Sequence, residues 1–219
     1  MSTKKKIIII AVCVIAVVLA ICGIVALVLK TNGGYKNTNG REESEFFYGG
    51  NFRNDLHGTD TLIVFFSWSG HTEELANAIS YRTGAKSIIL DTIEEYPRDY
   101  QECLTLAQNQ KRENQRPALQ DIEVDLSKYK TIFIGYPIWV EDMPMPIYTF
   151  LENNDFSGKT VIPFATSGSS GECGTFEKIR SMLNESTVRD GIHFSEEQIN
   201  EASFVEEINA WVDALDIKF

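Results

Sequence analysis

The chain has 219 residues, 43% of them hydrophobic, with 31 acidic against 20 basic side chains and a net charge of −11. That length suits one domain with a sizeable core, and the acidity argues against nucleic acid as a partner. Four cysteines, two of them inside an apolar N-terminal run, are too few and too scattered for a metal site or a disulfide framework.

Ile7 to Leu29 carries no charge and is bracketed by Lys4-Lys5-Lys6 and Lys30. About 20 apolar residues cross a bilayer, so residues 1–30 are expected to form an N-terminal anchor with one transmembrane helix. A cleaved signal peptide would have an apolar core of about 7 to 15 residues and a small-residue cleavage site, and this run has neither. The basic residues nearest its ends favour the N-terminus inside, which puts the folded part outside the cytoplasm. Residues 31–59, rich in Asn, Gly and charge, read as a flexible linker. Residues 1–40 hold five lysines and no acid, so the remainder carries 15 basic and 31 acidic side chains, a balance of −16. Such a surface suits a basic protein or a small molecule as partner, or serves only to keep the domain soluble.

From about residue 60 the chain alternates. Leu62 to Phe66, Lys86 to Leu90, Thr131 to Gly135 and Val161 to Ala165 are short apolar runs, the pattern of strands covered on both faces. Between and after them, helical spacing predicts helices over Glu73 to Thr83, Met145 to Glu152, Thr175 to Leu183 and Ser203 to Asp216, the last with Trp211 in its core stripe. Asp99 to Arg116 reads as a solvated helix with a loose end, and a fifth strand is expected over Thr187 to Phe194, broken at Asp190-Gly191. This alternation predicts an α/β fold: a doubly wound, five-stranded parallel sheet with helices on both faces. Ligands of such sheets sit beyond the carboxyl ends of the strands, where the strand order reverses.

Three loops lie at such ends. The first, Ser67-Trp68-Ser69-Gly70-His71-Thr72, links a strand to a helix, which leaves main-chain N–H groups free to hold an anion, with hydroxyls beside them. It has no Lys or Arg, so it is neither a Walker loop nor the dinucleotide fingerprint. An ordinary connection in which Ser and Thr cap the helix fits the same residues. Glu73 and Glu74 would compete with an anion and are expected to face outward. The second loop holds Pro137, Ile138 and Trp139, whose indole offers a flat face for a planar ligand or serves as a lid on the sheet. The third, Thr166-Ser167-Gly168-Ser169-Ser170-Gly171-Glu172-Cys173, offers N–H groups and hydroxyls, and taken alone is merely a polar turn. The three histidines, His57, His71 and His193, assemble into no recognisable catalytic set and read as surface polar residues, with His71 best placed to assist phosphate binding.

In order and setting, Phe66-Ser67-Trp68-Ser69-Gly70-His71-Thr72, Gly135-Tyr136-Pro137-Ile138-Trp139 and Ala165-Thr166-Ser167-Gly168-Ser169 resemble the three flavin-contacting loops of the flavodoxin family, over residues 60–219. The resemblance implies a domain that binds flavin mononucleotide (FMN) without a covalent link. Ser67, Trp68, Ser69, Gly70, His71 and Thr72 would hold the phosphate. Pro137, Ile138 and Trp139 would flank the isoalloxazine, and Thr166, Ser167, Gly168 and Gly171 would line its polar edge. It also implies electron transfer to a redox partner protein or small-molecule acceptor. The alternatives are an NAD(P)H-dependent quinone or flavin reductase of the same fold and a flavin-free binding module. In one place the chain departs from the family, whose carriers commonly have a glycine beside the flavin N5. Here Val140-Glu141-Asp142 follows Trp139, and two carboxylates near the ring are expected to lower the potential of the second electron.

Overall fold

The computed structural model describes residues 60–122 and 124–218. The expected span Ile7 to Leu29 and the linker 31–59 lie outside the described residues; among those described, no helix is long and apolar enough to cross a membrane. The strands are β1 Thr61–Phe65, β2 Lys86–Ile89, β3 Thr131–Pro137, β4 Thr160–Ser167, β5 Thr187–Val188 and β6 Ile192–Ser195. The helices are α1 His71–Thr83, α2 Tyr100–Arg112, α3 Met145–Asn153, α4 Thr175–Met182, α5 Glu196–Ile199 and α6 Phe204–Ala214.

All strand pairs are parallel, in the order β2-β1-β3-β4-β5, with β6 also on β4. β5 pairs with the start of β4 and β6 with its end, so the two are halves of the expected fifth strand. The break has a physical cause. Thr187 N–H donates to Lys159 O and Arg189 N–H to Val161 O, but two residues further along β4 stands Pro163, which has no N–H to return. A Cβ on Gly191 would come within 2.5 Å of Pro163 O and 2.8 Å of the Phe176 ring, so the strand passes this point only with glycine there.

β1 and the first six residues of β3 are buried throughout, as continuous apolar runs require of central parallel strands. One face of the sheet builds a core from Leu62, Val64, Ile132, Ile134, Tyr136, Ile147, Phe150 and Ile179. Beyond the other face, Phe204 of α6 meets Phe194 edge-on at 4.9 Å and Trp211 meets Phe133 at 5.9 Å. Trp211 is only half-buried, whereas Phe204, Ile208 and Val212 of the same stripe are fully covered. The Asp99 to Arg116 segment is helical over α2, capped by Asp99, whose carboxylate accepts from Glu102 N–H at 3.0 Å. With β2 and β3 on opposite sides of β1, the strand order reverses there, and the carboxyl ends of β1, β3 and β4 open on one edge.

Candidate functional site

The first loop leaves β1 and turns through Gly70, whose φ of +101° is open to glycine and strained for other residues. Ser67 is buried and its Oγ accepts from Glu73 N–H at 3.3 Å, so this hydroxyl does cap α1. The N–H groups of Ser69, Gly70, His71 and Thr72 make no hydrogen bond to other described residues. Four donors at one helix start, with nothing within 4 Å of a Cβ built on Gly70, form an open anion cradle. Ser69 Oγ and His71 Nδ1 sit 3.4 Å apart at its rim. The Trp68 Nε1–H donates to Pro97 O at 2.9 Å, and its ring lies 6.5 Å from that of Tyr100. Neither Glu73 nor Glu74 is fully exposed, contrary to expectation, and burial pushes the Glu74 carboxyl above its usual range while His71 pulls it back.

Thr166, at the end of β4, joins the three loops. Its hydroxyl shares a 2.8 Å hydrogen bond with Thr72 Oγ1, and its carbonyl accepts from Ile138 N–H at 2.7 Å. Pro137, Ile138 and Trp139 are therefore held beside the first and third loops. Trp139 is half-buried and packs edge-on against Phe66 at 5.3 Å and Tyr96 at 5.0 Å, which fixes the plane of the indole. Its backbone closes a two-residue hairpin, with Trp139 N–H donating to Asp142 O and Asp142 N–H to Trp139 O. Val140 and Glu141 both take positive φ, +51° and +56°, as such a turn demands. Lys111 Nζ clamps the Val140 carbonyl at 2.6 Å.

Asp142 corrects one expectation, because it does not present a bare charge. It is 6% exposed and accepts from Lys178 Nζ at 2.7 Å, Tyr148 Oη at 2.9 Å and Met143 N–H at 2.8 Å, with Lys111 Nζ at 3.6 Å. Burial alone would raise its pKa, but these hydrogen bonds outweigh that and hold it below 3.8. The carboxylate is charged and neutralised in place, leaving Glu141 as the exposed acid of the turn.

In the third loop Thr166 and Ser167 are buried, whereas Gly168, Ser169 and Ser170 are exposed. Gly171, Cys173 and Gly174 all take positive φ, and a Cβ on Gly168 or Gly171 would meet nothing within 4 Å. The amides of the first loop, the fixed indole of the second and the hydroxyls of the third are groups that could hold a flat ligand with an anionic tail.

A sequence profile described as flavodoxin matches residues 60–215. The chain belongs to the flavodoxin family. Among solved structures, a candidate flavoprotein from Bacteroides eggerthii is 25% identical, with a TM-score of 0.62 over 74% of this chain and 100% of that one. A second candidate flavoprotein, from Bacteroides uniformis, is 30% identical, with a TM-score of 0.60 over 71% and 99%. A flavoprotein from Lactobacillus acidophilus, solved in complex with FMN, shares the fold at 24% identity, with a TM-score of 0.56 over 62% and 93%. No curated protein matches the chain.

This flavodoxin domain also brings in residues whose part was not legible beforehand. His193, read as a surface residue, is half-buried, and its Nε2 lies 2.9 Å from Ser167 Oγ. Tyr96 walls Trp139 and donates to Gln110 Oε1 at 2.6 Å, while Lys111 and Lys178 brace the hairpin from α2 and α4. All four come from distant elements, so no local pattern marks them.

Proposed function

We propose that the chain binds FMN non-covalently across the three loops and uses it to carry electrons to or from a partner. The N–H groups of residues 69–72 and the Ser69 and His71 side chains would hold the phosphate, and the Trp139 hairpin would wall the ring. Thr166, Ser167, Gly168 and Gly171 would line its polar edge. Bound FMN supplies the redox chemistry; the chain's own residues bind it, orient it and limit water around it. The observation that carries this reading is the meeting of all three loops at Thr166, hydrogen-bonded to a helix start where the four amides of residues 69–72 have no partner among the described residues. Membership of the flavodoxin family and the flavoprotein relatives support it.

The apolar run Ile7 to Leu29 supports a tether, with the domain on the extracytoplasmic side and an acidic surface turned to its partner. Calorimetry with FMN tests the binding: one site per chain and a yellow complex are expected, and no heat refutes it. Oxidation of NADH or NADPH with a quinone acceptor tests the carrier assignment. A carrier is reduced only through a partner protein, and direct turnover makes the chain a reductase.

A further inference from the structure

Ser167 closes β4 at 8% exposure, and among the described residues its side chain hydrogen-bonds to His193, 26 residues on in sequence. β6 runs parallel to the end of β4 with His193 opposite Ala165 and Ser195 opposite Ser167, so the imidazole rises on the sheet face that carries the Ser167 side chain. The groups facing it come from two elements. β4 supplies the Ser167 hydroxyl, and the turn before α4 supplies the Glu172 carboxylate, which itself accepts from Phe176 N–H at 3.1 Å. Burial pulls the imidazole below its ordinary 6.5, and Glu172 offsets part of that, so His193 is neutral at physiological pH.

A neutral imidazole offers at Nε2 either a lone pair or an N–H, so Ser167 is free to donate or accept towards the site. A protonated one offers only N–H. Ser167 Oγ must then accept from it, and the hydroxyl proton is turned towards the third loop.

We propose that His193 is a positioning residue of the flavin site, whose protonation commits the Ser167 hydroxyl to donating a hydrogen bond to the polar edge of the isoalloxazine. The proposal rests on the FMN reading above. The pyrimidine edge of the oxidised ring carries two carbonyl oxygens around one N–H, so a committed donor suits the majority of its groups. Flavin affinity therefore rises as His193 takes up its proton, and by reciprocity bound flavin raises the His193 pKa.

The test titrates the detergent-solubilised full chain with FMN and with riboflavin between about pH 7.5 and pH 5, alongside His193→Gln, whose amide reaches Ser167 but does not titrate. Removing one of two comparably populated states of the Ser167 hydroxyl gives an affinity increase of about twofold across a step below pH 6.5 in the native chain. The step is lost in His193→Gln. It persists with riboflavin, which lacks the phosphate and so does not report on His71. Independently of the variant, the His193 pKa followed by NMR rises by about 0.3 on flavin binding, the same twofold expressed in pH units. Identical pH profiles for the native chain and His193→Gln, or one His193 pKa with and without flavin, overturn the inference and leave FMN binding intact. No flavin binding at any pH removes both.

Discussion

The hydrogen bond between Thr72 and Thr166 is the most exacting point of the site to perturb. Its oxygens are 2.8 Å apart, and the residues are 1% and 2% exposed, so neither hydroxyl has water as an alternative. Thr72→Val or Thr166→Val keeps the side-chain shape and removes one partner. Each single change loses a net contribution of about 1 kcal/mol and strands a buried hydroxyl, for a total of about 1 to 3 kcal/mol. Thr and Val have similar helix propensities and both suit strands, so local preference does not blur the result. The double substitution strands nothing and should cost less than either single, giving a coupling of about 1 to 3 kcal/mol. Urea unfolding of the flavin-free chain, followed by circular dichroism at matched slopes, measures all four corners of the cycle. For a domain of this size each kcal/mol also moves Tm by about 2 to 4 °C. Additive singles, with the double at their sum, would refute the idea that this pair locks the first loop to the third.

Three other perturbations follow from the same geometry. Gly135→Ala drives a Cβ to 2.1 Å from the Phe164 ring on the adjacent strand, and should cost about 2 to 4 kcal/mol in urea melts, partly recovered by adding Phe164→Leu. Val140→Gly relieves a β-branched residue at a φ of +51° and should stabilise the domain by about 1 kcal/mol; a loss of stability would mean that the turn carries no strain there. Asp142→Asn weakens a buried pair whose Lys178 partner is 42% exposed, for an expected loss of about 1 to 3 kcal/mol at neutral pH. Because the folded carboxyl lies below 3.8, its stabilisation is complete above that value and fades as pH falls through the folded pKa. The gap between the native chain and Asp142→Asn should accordingly close on acidification, and a gap constant down to about pH 2.5 would contradict the ion pair.

Most of the scaffold was legible because its signals are local. Strands covered on both faces must be apolar along their whole length, and that is how β1, β3 and β4 read. The free amides of the first loop were legible for a similar reason, since a Ser/Gly-rich strand-to-helix turn exposes amides whatever surrounds it. Even the break in the last strand showed through Asp190-Gly191, although its cause, Pro163 across the ladder and the Phe176 ring above, did not.

What the tertiary structure alone decided concerns partners. Trp68 and Trp139 look alike as loop tryptophans, yet one indole is tied to Pro97 and the other is set as a wall by Phe66 and Tyr96. Asp142 reads as a repelling charge until Lys178, Lys111 and Tyr148 converge on it from three helices. His193 has no local signal, because only the parallel register of β6 on β4 brings it to Ser167. Periodicity and turn chemistry record how a residue relates to its neighbours in sequence, whereas the charge, tautomer and orientation of a site group depend on residues tens of positions away.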